Sequence, residues 1–488
     1  MSIWSIRCEL LMVIALIAAL TSDPGFAAKR EGVNQARTSP ASDYPSSIRR
    51  PRGIYAVVVL DATRGSTRTD LDALVSNPAV AGLAIRMFWS SLQPAKDRYD
   101  FSQLDTAFAS AAAAHKTVQL ILVPGFGTPA WVLSEIASCD DLLTAPAEGG
   151  AREAKHAGRA AAGNRSDGAR GGRAEAGGGE REARHAGDAS ADSGGHEVAS
   201  SKGPASCGKV TFEVSEGRAH GEKQELPLPW NPVYKRYWKA FLAEVAARFG
   251  ARETLVSIAV AGPTAESVEI IVPRAGDQLE RWAQLLELFY RNPSYHRSDK
   301  AFVDEWDAAV SVYGELFRNI TIVLTRGSGL LNFTHGQGSA AQARIVSSFA
   351  AHPVGANAKA TQTSGMKACR ETEAGIKGVK ELSSSGPVLG GAQFDTSFSQ
   401  KPAVEGCRAS CDKAAAVCQS VTPALALSNV LSVYFDGTPA GDVYGASNGA
   451  ARMNYMQIYE KDIQFASTQP AVQATLEQVN RRLLMQAR

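Results

Sequence analysis

Histidine is scarce, eight in 488 residues, and none stands at ligand spacing beside the closely spaced cysteines Cys407, Cys411 and Cys418. That argues against a zinc site there. Charge of one sign is also missing. Lys and Arg exceed Asp and Glu by only two, and they are scattered rather than striped. No nucleic-acid partner and no acidic membrane surface is implied. After the first twenty residues no run is long and apolar enough to cross a bilayer. No glycine-rich phosphate loop opens a helix behind a strand, which excludes the usual nucleotide cradle. Neither a metal nor an organic cofactor is expected.

What is present begins at the N-terminus. Arg7 precedes the apolar run Leu10–Leu20, and small residues follow at Gly25, Ala27 and Ala28. This reads as an export signal over residues 1–28, trailed by a flexible linker over 29–49. A secreted or periplasmic protein is expected, with no membrane segment beyond the signal, and a monomer. Without Cys8, six cysteines remain, an even number that suits disulfides in an exported chain. Within an insertion bounded at 141–208, residues 145–206 are dominated by Ala, Gly, Arg, Glu, Ser and His, with almost no large apolar side chain. Such a stretch cannot bury enough surface to offset its ordering entropy and reads as a disordered insertion. Cys139 and Cys207 flank it, and a bond between them would close its neck.

The remainder, residues 50–140 and 209–488, alternates strand-like and helix-like segments. The strand candidates are Gly53–Asp61, Val80–Met87, Thr117–Val123, Leu255–Ala261, Ile320–Thr325, Gly355–Thr361, Val388–Phe394 and Tyr455–Tyr459. Helical spacing of apolar residues marks Phe101–His115, Val233–Phe249, Lys300–Phe317 and Val472–Leu484. Strand–helix alternation of this length favours an α/β protein, a (β/α)₈ TIM barrel with the insertion after its third strand. In that architecture chemistry sits at the C-terminal ends of the strands.

The order Arg86, Trp89, Leu92-Gln93-Pro94, Tyr99-Asp100-Phe101, Leu104-Asp105 and then Thr128-Pro129-Ala130-Trp131 resembles the front half of clan A glycoside hydrolases, of β-galactosidase and cellulase type. Leu226–Tyr234 (LPLPWNPVY) and Tyr455–Ile463 (YMQIYEKDI) are similar to members of the same group. Gln93 stands where the family carries Glu. The resemblance implies a glycan substrate and two carboxyls, one from the end of strand four and one from the end of strand seven.

Retaining hydrolysis needs those carboxyls about 5 Å apart, one as proton donor and one as nucleophile. Behind strand four stand Glu266 and Glu269, without the family's Asn-Glu pair, and either could be the acid, with a preference for Glu269. Behind strand seven the nearest carboxylate is Asp395, one methylene shorter than the family's Glu; Asp436 is the second choice should the strand register differ. Trp89 and Trp131 could stack on sugar rings or pack in the core. Arg86 is expected to orient a carboxylate, Gln393 to bond a sugar hydroxyl, and Asp61 to reach the pocket. The expected protein is thus an exported glycoside hydrolase of retaining mechanism. The rival is a degenerate barrel that binds glycan without cutting it, in envelope or exopolysaccharide metabolism.

Overall fold

The structure, a computed structural model, describes residues 48–60, 71–143, 207–214, 221–274, 276–331, 345, 360–366, 390–394 and 453–486. The expected signal, residues 144–206 of the insertion, Asp61, Asp395, Asp436 and the cysteines after Cys207 lie outside them; Cys207 and Gly208, expected at the disordered insertion's end, are in a strand.

Eight parallel strands form the core: β1 Gly53–Val59, β2 Gly82–Phe88, β3 Thr117–Val123, β4 Leu255–Ala259, β5 Thr321–Gly329, β6 Ala360–Met366, β7 Gly391–Phe394 and β8 Tyr455–Tyr459. Each pairs with the next, and β8 pairs with β1, Gly53 opposite Tyr455. The β5–β6 ladder, Ile322 opposite Ala360, completes the circuit. The eight strands therefore close into a barrel, as the alternation of elements predicted.

Strands β1 to β3 are almost continuously apolar because barrel strands are covered by helices outside and by side chains inside. The helix Ser102–Ala113 buries Leu104, Ala107, Phe108 and Ala111, one face at helical spacing. Asn231 caps the helix Pro232–Phe249 by accepting from the Tyr234 amide at 3.0 Å, and Pro232 takes the first turn, where no donor is needed.

Two tyrosines fill one end of the barrel. Tyr55 reaches across Gly82 to the Thr117 hydroxyl at 2.7 Å, and a Cβ on Gly82 would come within 2.5 Å of the Tyr55 ring. Tyr455 lies in the same way over Gly391, and the two rings meet edge to face at 6.2 Å. Burial pushes the Tyr55 phenol up to about 12, so it stays neutral, although its hydrogen bond to Thr117 pulls the other way.

Three differences from the sequence reading appear. The sixth strand is Ala360–Met366 rather than Gly355–Thr361, and the seventh begins at Gly391 rather than Val388. Neither segment carries a marked apolar run, so pairing with β5 and β8 decides its register rather than propensity. A further three-stranded sheet, Ala137–Ser138, Cys207–Glu213 and Lys223–Pro227, stands at the insertion's neck.

A disulfide joins Cys139 to Cys207, both buried, with Cα atoms 5.0 Å apart. Next to it Asp140 accepts from the Thr211 amide at 3.1 Å and hydroxyl at 2.8 Å, and from Arg281. The neck is thereby tied to the helix Gln278–Phe289, which carries Arg281. The bond closes a loop spanning 68 positions. Replacing both cysteines by serine is expected to cost about 2–4 kcal/mol of stability. Urea denaturation of parent and variant without reductant measures it as a lower unfolding midpoint in the variant.

Candidate active site

The inner face of the barrel is identified by one hydrogen bond across it. Gln457 on β8 donates to Gln119 on β3 at 2.8 Å, both buried. Strand residues alternate faces, so the partners of Gln119 in the ladder share its side: Ala84 on β2 and Ser257 on β4. Two residues further along β2, Arg86 is also on the inner face, near the C-terminal end of its strand. It is half-buried, and its Nε is enclosed without a hydrogen-bond partner. Gln393 on β7 lies opposite Gln457 and is buried.

The two glutamates behave differently. After β4 the chain leaves the barrel wall at Val260 and returns as a short strand, Glu269–Ile271, paired in parallel with β5. Along β5, Ser257 stands opposite Thr321, Ala259 opposite Val323, and Glu269 opposite Thr325. Glu269 therefore stands beside β5 at the position a longer β4 would have reached, just before an irregularity in that ladder. Its amide donates to the Ser267 hydroxyl at 3.1 Å, and Ile270 between its neighbours is fully buried. Glu266 sits in the loop, partly buried, with no strand register to direct it.

The loops after β3 and β4 are locked together. Gly125 has φ +65°, and a Cβ there would lie 2.2 Å from the Ala265 carbonyl oxygen and 2.5 Å from that of Thr264. The Phe126 amide donates to the Ala265 carbonyl at 2.8 Å. Gly127 in turn abuts the Phe88 ring at the end of β2. Three adjacent strand ends thus form one continuous sector of the mouth. Gly125→Ala should cost more than about 1 kcal/mol, since both the left-handed backbone and two backbone oxygens oppose a methyl group. Urea melts of this variant check it.

Several residues of the sequence motif lie behind that mouth rather than in it. Trp89 is completely buried, so the expectation that it offers a face to a sugar is corrected: it is a core residue. Its ring packs against Trp238 at 5.1 Å and Phe241 at 5.7 Å, on the helix Pro232–Phe249. Its indole donates to Gln93 Oε1 at 2.9 Å, while Gln93 Nε2 donates to the Lys96 carbonyl at 2.7 Å. This explains glutamine at the family's glutamate position, because a carboxylate could accept from Trp89 but could not donate to Lys96. Trp131 is half-buried between Trp89 and Tyr237, its indole N–H bonded to the Gln93 carbonyl at 3.1 Å. Asp105 pairs with Arg248 at 2.5 Å and Arg252 at 2.7 Å. Its hydrogen bond to Arg248 is the main influence holding its carboxyl below the usual range.

Sequence reasoning did not single out Thr264, which is buried on the β4 loop; Thr128, which it placed among the polar residues behind the third strand that could do chemistry, is buried as well. A small hollow of about 70 Å³ lies beside Gly262, lined by Trp238, Glu305 and Tyr313 among others. Burial raises the Glu305 carboxyl there, opposed by Lys235 at 2.6 Å. It is a gap between the helices Pro232–Phe249 and Lys300–Leu316 and contains no inward-facing barrel residue. Among the described residues no cluster of His, Cys, Asp and Glu could hold a metal, and no helix is long and apolar enough to cross a membrane.

No protein-family model and no curated protein matches the chain. Solved structures similar to it include a polyextremophilic β-galactosidase from the Antarctic haloarchaeon Halorubrum lacusprofundi, at 11% identity and TM-score 0.28, covering 56% of this chain and 36% of that one. Xylanase 10B from Thermotoga maritima is 7% identical, with TM-score 0.38 and coverage of 84% and 83%. A thermostable mutant of a xylanase (Xyn10A) from Cellvibrio japonicus is 10% identical, with TM-score 0.38 and coverage of 85% and 87%. The chain thus spans about a third of the β-galactosidase. The barrel itself is established by the strand pairing, independently of these likenesses. The chain is an α/β protein of (β/α)₈ architecture.

Proposed function

We propose that this chain is an exported glycoside hydrolase that cleaves a polysaccharide or oligosaccharide by a retaining two-carboxylate mechanism. The observation that carries the reading is the return of the chain after β4, which brings Glu269 beside β5 at the C-terminal mouth. Arg86, on the inner face of β2, adds a positive charge suited to holding a carboxylate ionised. In this reading Glu269 gives its proton to the leaving oxygen as Asp395 attacks the anomeric carbon. A covalent glycosyl-enzyme forms and the first alcohol departs. Glu269, now a carboxylate, takes a proton from water, which attacks the same carbon and frees Asp395. Glu266 is the alternative acid.

The test is release of reducing ends from xylose-, glucose- and galactose-based polysaccharides and aryl glycosides, with the anomer first formed read by proton NMR. Cleavage with net retention supports the proposal. Inversion would remove the nucleophile role from Asp395. Calorimetric binding without product over long incubation would instead identify a glycan-binding barrel that has lost its chemistry.

A further inference from the structure

The alternation of burial along β2 marks where the barrel opens. Ile85 and Met87 are buried, while Arg86 and Phe88, on the inner face, are half-buried. Register extends the pattern to two neighbouring strands. Val59 on β1 stands opposite Arg86 and Tyr459 on β8 opposite Val57, so both share that face, and both are half-buried. The last described inner positions of the next three strands are closed instead: Val123 is 0% exposed, Ala259 5% and Thr325 5%. Among the described strand ends, the side chains that open to the mouth are therefore those of β8, β1 and β2.

Arg86 carries the charge of that sector. Its ladder neighbours are Val59 and Ile121, and its neighbours along the inner face of β2 are Ala84 and Phe88, all apolar. Among the described residues none pairs with its guanidinium. Of its nitrogens only Nε is enclosed, so the terminal pair is the part that meets solvent. A half-buried charge held among apolar side chains without a counter-ion is unfavourable, and an anion that completes it is favoured.

We infer that the open sector takes an acidic sugar, a hexuronate whose carboxylate lies on the two terminal nitrogens of Arg86 and whose ring lies against Phe88. The inference rests on the glycan reading of the mouth and names its substrate class. A guanidinium presents parallel N–H groups that match the two oxygens of a carboxylate. The C–H face of a pyranose suits an aromatic ring. Glycine at 127 leaves the Phe88 ring its place, since a Cβ there would lie 2.8 Å from it. A neutral sugar would cover Arg86 without answering its charge, which is what selects the uronate.

Calorimetric titration of tetramers of galacturonate, mannuronate and glucuronate, each beside its neutral counterpart, into parent, Arg86→Gln and Arg86→Lys tests this. One acidic tetramer should bind the parent about tenfold or more tighter than its neutral counterpart, the worth of a hydrogen-bonded charge. Added salt should erode that margin. Arg86→Gln should lose about ten- to a hundredfold in that affinity and leave the neutral sugar little changed. Arg86→Lys, which keeps the charge but not the fork, should fall between. A parent that binds the neutral tetramers as tightly as the acidic ones overturns the inference alone, and that comparison needs no variant to fold. So does an equal loss on both kinds of sugar in Arg86→Gln, which would assign Arg86 to a carboxylate of the protein. A parent that binds neither kind overturns the glycan reading and the inference with it.

Discussion

Glu269→Gln is expected to lower kcat for glycan cleavage by about 10² to 10⁴, with little change in KM, the usual consequence of losing a positioned proton donor. The expectation follows from register. The residue stands opposite Thr325, as Ser257 and Ala259 stand opposite Thr321 and Val323, which puts it at the C-terminal end of the barrel wall. Glutamine preserves size and hydrogen bonding but cannot release a proton, so the loss should fall on the chemical step. It should also depend on the leaving group. Aryl glycosides whose phenol departs readily need little acid assistance and should lose least in the first step. Parallel kinetics on such a substrate and on a polysaccharide test this. Glu266→Gln, lacking any ladder position, should have the smaller effect; the opposite ranking would make Glu266 the acid.

Trp89→Ala should destabilise the fold by about 3–5 kcal/mol, the cost of emptying a large aromatic site. The indole is fully enclosed by Trp131, Tyr234, Trp238 and Phe241 and satisfies Gln93. A loss of that size in a domain of ordinary stability leaves much of the population unfolded or aggregated. Trp89→Phe retains most of the packing and loses only the bond to Gln93, so it should be milder. Urea denaturation of both variants distinguishes this role from a sugar platform, whose removal would weaken binding and leave the unfolding midpoint alone.

The motif that makes the first half of the chain resemble clan A glycoside hydrolases is mostly architectural. Trp89, Gln93 and Trp131 form one hydrogen-bonded block behind the mouth, and Asp105 holds Arg248 and Arg252. Of its residues, Arg86 belongs to the inner face. Sequence spacing exposed these residues because strand ends and helix starts have recognisable chemistry. It could not separate a tryptophan that stacks on a ligand from one that packs on a neighbouring helix, since both follow a strand and both are aromatic. Glu266 and Glu269 both follow β4 closely in sequence, Glu266 the nearer, and spacing alone did not separate their roles. The short returning strand that distinguishes them has only three residues and no pattern of its own.

The sequence by itself determined the barrel and its first five units, because a period of two or 3.6 in apolar residues is a local property that survives without tertiary context. It also marked Cys139 and Cys207 as the neck of a low-complexity insertion, because a change in composition needs no coordinates to be seen. Only the tertiary structure decided the register of β6 and β7, the burial of Trp89, the pairing of Glu269 beside β5, and the locking of the β3 and β4 loops at Gly125. Each of these depends on pairing or packing between segments far apart in the chain, where the energy comes from the partner rather than from the residue.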